Sequence, residues 1–366
     1  MAKYKRQKVK RYRRSFYSRG TRIKKGIGIV VLVLAVLGAA WLAAPHVLDW
    51  ATHTWYTVVK NRDLEAESAS RAAASSEAAA SSAVQEAASS QPEPEQPKEL
   101  DGKAITGGSW AAVDVSTLAD DAAIRAAAQQ LKAQGADYGL VTLKDADGSI
   151  HYASQVAAAS GSIAGITVDP ARIAAIFREE GIIPAAQLAA FTDPVSGYTD
   201  RSMAVHYSGT QLWLDNVSAK AGGKSWLDPS AASAVQYVGD LIEELHGMGF
   251  EQVVLTGVQF PNIITRKQEF AAAGGKSQEG RAALLAADIS TWQARFDGSV
   301  VLWLSYPAKQ CTDASDALGA PAVSLGMHNL IVTADTLDAA ARGQLQQSAA
   351  EAGVQNVVIC STESFQ

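Results

Sequence analysis

From about residue 100 to its end, the 366-residue chain alternates short apolar runs with amphipathic segments. "WAAVDV" (110–115), "YGLVTL" (138–143), "IPAAQLAAF" (183–191) and "LWLDN" (212–216) predict buried strands, and so do "QVVLTGV" (252–258), "VVLWLSY" (300–306), "AVSL" with "NLIVTA" (322–334) and "NVVIC" (356–360). Helical spacing of apolar positions predicts helices over 119–134, 169–181, 230–248, 281–297 and 336–352. Several of these patterns stop at a glycine, Gly135, Gly181, Gly249 or Gly353, the residue best suited to close a helix. Strand and helix alternating about eight times over some 265 residues is the size and rhythm of a (β/α)8 TIM barrel. A doubly wound open sheet is the runner-up. It would favour a Gly-rich phosphate loop after the first strand, and "GGSWAAVDV" is not one.

The first hundred residues read differently. "GIGIVVLVLAVLGAAWLAA" (26–44) has no charge over nineteen residues, long enough to approach the hydrocarbon thickness of about 30 Å, with Trp41 and Trp50 as interfacial anchors. Residues 62–98, dominated by Ala, Ser, Glu and Gln and ending in a Pro-Glu alternation, predict a low-complexity spacer without a core-facing stripe. Four segments follow: a basic tail (1–25), a signal-anchor helix (26–48), a largely disordered or partly helical stalk (49–100) and the barrel (101–366).

Charge sharpens this division. Residues 1–25 carry twelve Lys or Arg and no acid, while the rest holds 20 basic and 37 acidic residues. By the positive-inside rule the N-terminus is cytoplasmic and the barrel extracellular, a single-pass protein of the cell membrane. A cleaved signal peptide is the rival reading, although its apolar region would run only about 7–15 residues. Tyr4, Tyr12, Phe16 and Tyr17 interleave with the cations as in nucleic-acid-binding arms, but a cluster directly before a span reads as a topology signal touching anionic lipid. The expected partners are therefore membrane lipid, through 26–48 and the basic tail, and no nucleic acid.

"LVTLKDADGSIHY" (140–152), "GIIPAAQLAAFTDP" (181–194), "GKSWLDPSAASAVQYVGDLIEELHGMGFEQV" (223–253) and "LTGVQFP" (255–261) follow one another with a recognisable spacing. In these residues the chain resembles the bacterial family of glycoside-hydrolase-like domains, TIM barrels related to polysaccharide-cleaving enzymes. The likeness is clear over roughly 105–265. It implies a glycan or cell-wall polysaccharide as ligand, and it implies damage. The family usually has an acid two places before the lysine of its second strand, where this chain has Thr142 before Lys144. It has an arginine in the third strand, here Gln187, and ends a later strand in Asp-Tyr-Val-Arg-Phe-Pro, here Thr256-Gly257-Val258-Gln259-Phe260-Pro261. Two acids have become threonine and two arginines glutamine, as expected when a buried charge cluster is neutralised together.

Hydrolysis of a glycosidic bond needs two carboxyls about 5 Å or about 6.5–9.5 Å apart, at C-terminal strand ends if the fold is a TIM barrel. The candidates are Asp114, Asp145, Asp147, Asp193, Asp215, Asp228 and Glu363. Most have structural readings: Asp145 and Asp147 in a D-x-D-G turn, Asp193 in another, Asp228 as cap of the helix near 230. Asp215 and Asp228 stand as the catalytic candidates. Lys144, Asp145, Gln187, Trp213, Trp226, Thr256 and Gln259 are the expected binding residues. Trp110, Trp213, Trp226 and Trp303, at or near strand ends, read either as sugar-stacking platforms or as core.

Nothing points to other chemistry. The six histidines lack metal-ligand spacing, and no cofactor or metal is expected. There is no GxSxG elbow and no P-loop. Cys311 and Cys360 could pair outside the membrane or stay reduced. The expectation is a glycan-recognising barrel with a reduced or lost hydrolytic centre. An active glycosidase using an Asp/Glu pair and a non-catalytic structural module of a cell-envelope complex are the alternatives.

Overall fold

The computed structural model describes residues 108–362 together with Phe365. The basic tail, the expected span, the stalk and Glu363 lie outside the described residues. Among the described residues no helix is long and apolar enough to cross a membrane.

The chain opens with β1 (Trp110–Val113), α1 (Asp121–Ala133) and β2 (Tyr138–Lys144). An excursion follows, β3 (Ile150–Tyr152) and β4 (Ile163–Val168), before α2 (Pro170–Glu179) and β5 (Ile183–Ala189). A second excursion holds the one-turn α3 (Ser196–Thr199) and the small hairpin of β6 (His206–Tyr207) and β7 (Gln211–Leu212). Then come α4 (Ala232–Gly247), β8 (Gln252–Thr256), α5 (Gln278–Arg295), β9 (Val301–Pro307) and the short α6 (Ala308–Thr312). β10 (Asn329–Thr333), α7 (Ala339–Glu351) and β11 (Asn356–Cys360) complete it.

Seven strands pair in parallel in the order β1-β2-β5-β8-β9-β10-β11, each new strand added on the same side of the last. A doubly wound sheet would reverse this order at a switch point, and this order does not reverse. Unreversed right-handed crossovers place the helices on one face and leave the other face to pack on itself. Two cores result. The larger joins the helices to the outer face of the sheet. The smaller takes side chains from all seven strands, among them Trp110, Tyr138, Val254, Trp303, Ile331 and Val358.

A simple distance shows how far the sheet curls. Trp110 on β1 and Trp303 on β9 are four strands apart, roughly 19 Å in a flat sheet with strands about 4.8 Å apart. Their ring centroids lie 5.4 Å apart, edge to face. Trp110 also stacks on Tyr138 at 4.0 Å and meets Phe365 at 6.4 Å. Among the described residues β1 and β11 share no ladder, and these aromatic rings fill the space the sheet encloses. The fold is α/β with a mostly parallel, strongly curled sheet, an arrangement compatible with a TIM barrel.

The expectation of eight parallel strands is met by seven. "LWLDN" contributes only the two-residue β7: Trp213 hydrogen-bonds through its backbone N–H to Val205, so its apolar residues are buried within the excursion. "AVSL" is a 3-10 turn, Ala322–Leu325. β3 and β4 were not expected; β4 exposes Gly165 and Ile166 and so shows no clear alternation.

The buried Asp288 on α5 has no hydrogen-bond partner for its Oδ2 among the described residues. Burial, with the nearby Asp228 charge adding to it, pushes its carboxyl up from the ordinary 3.8 to about 8. The folded protein thus holds this proton more tightly than the unfolded chain, and stability falls as pH rises from about 4 to about 8. Urea midpoints measured between pH 5 and 8.5 should decline in the wild type. In Asp288→Asn, which stays neutral, the slope should largely vanish; an unchanged slope would remove Asp288 as its source.

Candidate functional site

Parallel strands end on one rim, and period-2 alternation aims every second residue at the enclosed space. Four neighbouring strands repeat one pattern. Ala185, Val254, Trp303 and Ile331 belong to the apolar inner cluster. Two residues further on come Gln187, Thr256, Ser305 and Thr333, and these four line a cavity of about 260 Å3 at the C-terminal ends of β5, β8, β9 and β10. Gln259 and Gln310 extend the wall, and Thr362 and Phe365 complete it beyond β11. The aromatic cluster of Trp110, Tyr138 and Trp303 closes the interior beneath the polar layer.

The wall is built of amides and hydroxyls. No Asp, Glu, Lys, Arg or His among the described residues lines it. The Gln187 Oε1 atom is buried without a hydrogen-bond partner among the described residues. Gln310 Nε2 donates to Gln259 Oε1 at 3.5 Å, and the buried Tyr306 hydroxyl donates to the Val258 carbonyl at 2.9 Å, fixing the turn after β8. That turn depends on Gly257. Its φ is +62°, and an added Cβ would lie 2.3 Å from Thr192 Oγ1. The stretch that resembles an active-site strand end therefore has its own backbone conformation as well as neutral side chains.

Of the expected binding residues, the structure brings Gln187, Thr256 and Gln259 together in this cavity. The others lie elsewhere, for definite reasons. Lys144 is fully buried, paired with Asp193 Oδ2 at 3.0 Å and donating to the Ala189 carbonyl at 2.6 Å. Asp145 accepts the N–H groups of Asp147 and Ser149, both at 2.9 Å, and meets His151 Nε2 at 3.1 Å. Asp147 pairs with Lys224. Asp114 caps a short 3-10 turn, and the backbone N–H of Ser116 holds its carboxyl below the usual range.

The two catalytic candidates do not line the cavity. Asp215 accepts the Lys224 N–H at 2.8 Å and the Trp226 indole N–H at 2.9 Å. Asp228 is 1% exposed and accepts the Ser230 N–H and hydroxyl, at 2.8 and 2.7 Å, and the Ala271 N–H at 2.6 Å. Burial raises its carboxyl. It does not cap α4, whose N-cap is Ala231. All four tryptophans considered as platforms are buried in packing, with Trp303 Nε1 donating to Gln252 Oε1 at 2.8 Å. Cys311 and Cys360 are separate buried thiols. Among the described residues no three His, Cys, Asp or Glu come together as a metal site.

Ser305, Thr333, Gln310, Thr362 and Phe365 were missed. For Ser305 and Thr333 the signal was present: each lies two residues beyond an inward apolar residue, Trp303 or Ile331.

The family model described as "Putative glycosyl hydrolase domain" matches residues 113–301, and the chain belongs to that family. No curated protein matches the sequence. Among solved structures, the chain is similar to a hypothetical protein from Ruminiclostridium thermocellum, with 21% identity, TM-score 0.45, and coverage of 53% of this chain and 96% of that one. It is also similar to a GH20 exo-β-N-acetylglucosaminidase from Vibrio harveyi (8% identity, TM-score 0.46, 70% of this chain and 42% of that chain). A third is an α-galactosidase from Thermus thermophilus (13% identity, TM-score 0.42, 70% of this chain and 52% of that chain). The chain thus spans about half the length of the two enzymes.

The Lys144–Asp193 pair sets the position of this rim and can be tested by itself. Removing either charge leaves the other buried without a counter-charge, a loss of about 3–5 kcal/mol. Lys144→Met and Asp193→Asn should each lower urea-derived stability by this amount, and the double variant should recover part of it. Strictly additive losses would show the two groups to be uncoupled.

Proposed function

We propose that this member of the glycosyl hydrolase domain family recognises a glycan at the mouth of a TIM-type barrel whose hydrolytic centre has been lost. One observation carries the reading: where a barrel enzyme places its reacting groups, the described wall offers only amides, hydroxyls, backbone and aromatic carbon. Hydrolysis needs one carboxyl kept protonated and a second as nucleophile or base. Asp215 and Asp228 are each committed to hydrogen bonds elsewhere. A single acid from Glu363 would not make a pair. Neutral amides and hydroxyls do suit sugar hydroxyls, and the unpartnered Gln187 Oε1 accepts the hydrogen bond that such a ligand donates.

The barrel reading is supported by the unreversed strand order and by the short Trp110–Trp303 distance. The location is proposed from sequence: twelve cations before an uncharged 26–44 favour a signal-anchor, with the stalk holding the domain outside the membrane at the cell envelope.

The test uses the full chain in detergent with isolated wall polysaccharide. No reducing ends should be released above buffer, and the protein should sediment with the polysaccharide. Gln187→Leu with Gln259→Leu should weaken that binding at least tenfold, the equivalent of about 1.4 kcal/mol. Turnover that disappears in Asp215→Asn or Asp228→Asn, with the fold intact, would overturn the loss of chemistry and name a catalytic acid.

A further inference from the structure

We infer that the mouth cavity is the first of two adjoining subsites, and that a hollow over the ends of β10 and β11 takes the next unit of a neutral glycan. This rests on the reading of the mouth as a sugar site.

Size gives the first reason. At about 260 Å3 the cavity lies below the roughly 300–1,000 Å3 of pockets that hold drug-sized ligands, so it accommodates one sugar ring and its substituents. The aromatic floor leaves no room to extend inward. A longer chain must leave across the rim.

Continuity gives the second. Thr333 lines the cavity, and the next residues, Ala334 and Asp335, line a separate hollow of about 500 Å3. Across the gap, Thr362 lines the cavity while Cys360 and Ser361 line the hollow. Just past each strand the boundary is one residue, a step of about 3.8 Å between Cα atoms, less than the length of a sugar ring. A unit linked to the one in the cavity therefore falls over the hollow.

The chemistry of the hollow differs. Asp338 belongs to its wall, but its carboxylate already caps α7 by accepting the Ala341 N–H at 2.7 Å. The side chains of Asp335 and Arg342, also in the wall, make no hydrogen bond or ion pair among the described residues. Together they present a guanidinium fork and a carboxylate, a donor and acceptor set suited to adjacent hydroxyls or an acetamido group. Counted with Asp338, the wall carries one more negative than positive charge, which favours a neutral unit over a uronate or sulfated one.

The experiment is calorimetric titration of the full chain with glucose, cellobiose, N-acetylglucosamine and its β-1,4-linked dimer. One sugar type should bind at least tenfold tighter as the dimer than as the monomer. In Asp335→Ala/Arg342→Ala, whose altered side chains are exposed, the ratio should collapse to about one. Gln187→Leu should weaken monomer and dimer alike. Equal wild-type affinities, or a ratio unchanged in the double variant, would overturn the second subsite while leaving the mouth intact. Failure of all four sugars to bind, or binding indifferent to Gln187→Leu, would instead overturn the underlying reading of the mouth.

Discussion

The buried ion pair between Lys144 and Asp193 is the constraint on which this side of the molecule depends. Two fully desolvated charges persist only with good geometry and satisfied remaining valences. Lys144, the last residue of β2, also binds the Ala189 carbonyl at the end of β5. The other carboxylate oxygen of Asp193 accepts the N–H groups of Val195 and Ser196, at 2.8 and 2.9 Å. Ser196 continues the network to Ser162 and to the Tyr237 hydroxyl on α4, each at 2.9 Å. Neighbouring strands, both excursions and a helix are thereby tied to one point. Gly148, with φ of +81°, is part of the same arrangement: an added Cβ would meet Asp193 Oδ1 at 2.6 Å.

Charge is thus placed according to what each position does. Lys144, Asp145 and Asp193 serve as fasteners, each held by defined partners. At the mouth, where the resemblance implies acids and arginines, the chain has Thr256, Gln187 and Gln259. Loss of a fastener would disturb the rim as a whole. A change of charge at the mouth would act on the cavity wall alone.

Much of the fold was legible because the central parallel strands β2, β5, β8, β9 and β10 are buried on both faces, and such strands read as apolar runs whatever surrounds them. Gln187, Thr256 and Gln259 were legible as polar interruptions at the ends of those runs. The excursions were not. β4 is half exposed, and "LWLDN" owes its burial to a loop packing on itself. Of the four tryptophans, Trp213 and Trp226 were expected to bind and are packed instead, while the core alternative held for Trp110 and Trp303. Indoles near strand ends suit a sugar platform, but in a curled sheet the same positions point into an interior that needs large rings, and there Trp110 and Trp303 meet. Asp215 misled because a sequence does not reveal an indole N–H folding back onto it from Trp226, eleven residues on.

The neutral residues at the mouth also depend on one another. A carboxylate at 256 would stand above an apolar floor, beside Gln187 and Gln259, with no cation lining the described cavity. Burial without a partner raises a carboxyl and favours its neutral form. An arginine at 187 or 259 alone would bring the opposite cost, a desolvated cation among amides. Neither half of such a charge pair is favoured without the other. The backbone adds a further barrier, because Gly257, where the resemblance implies a tyrosine, has a left-handed conformation that places it against Thr192. An acid-lined centre here would require side chains on β5 and β8 and the turn after β8 to change together.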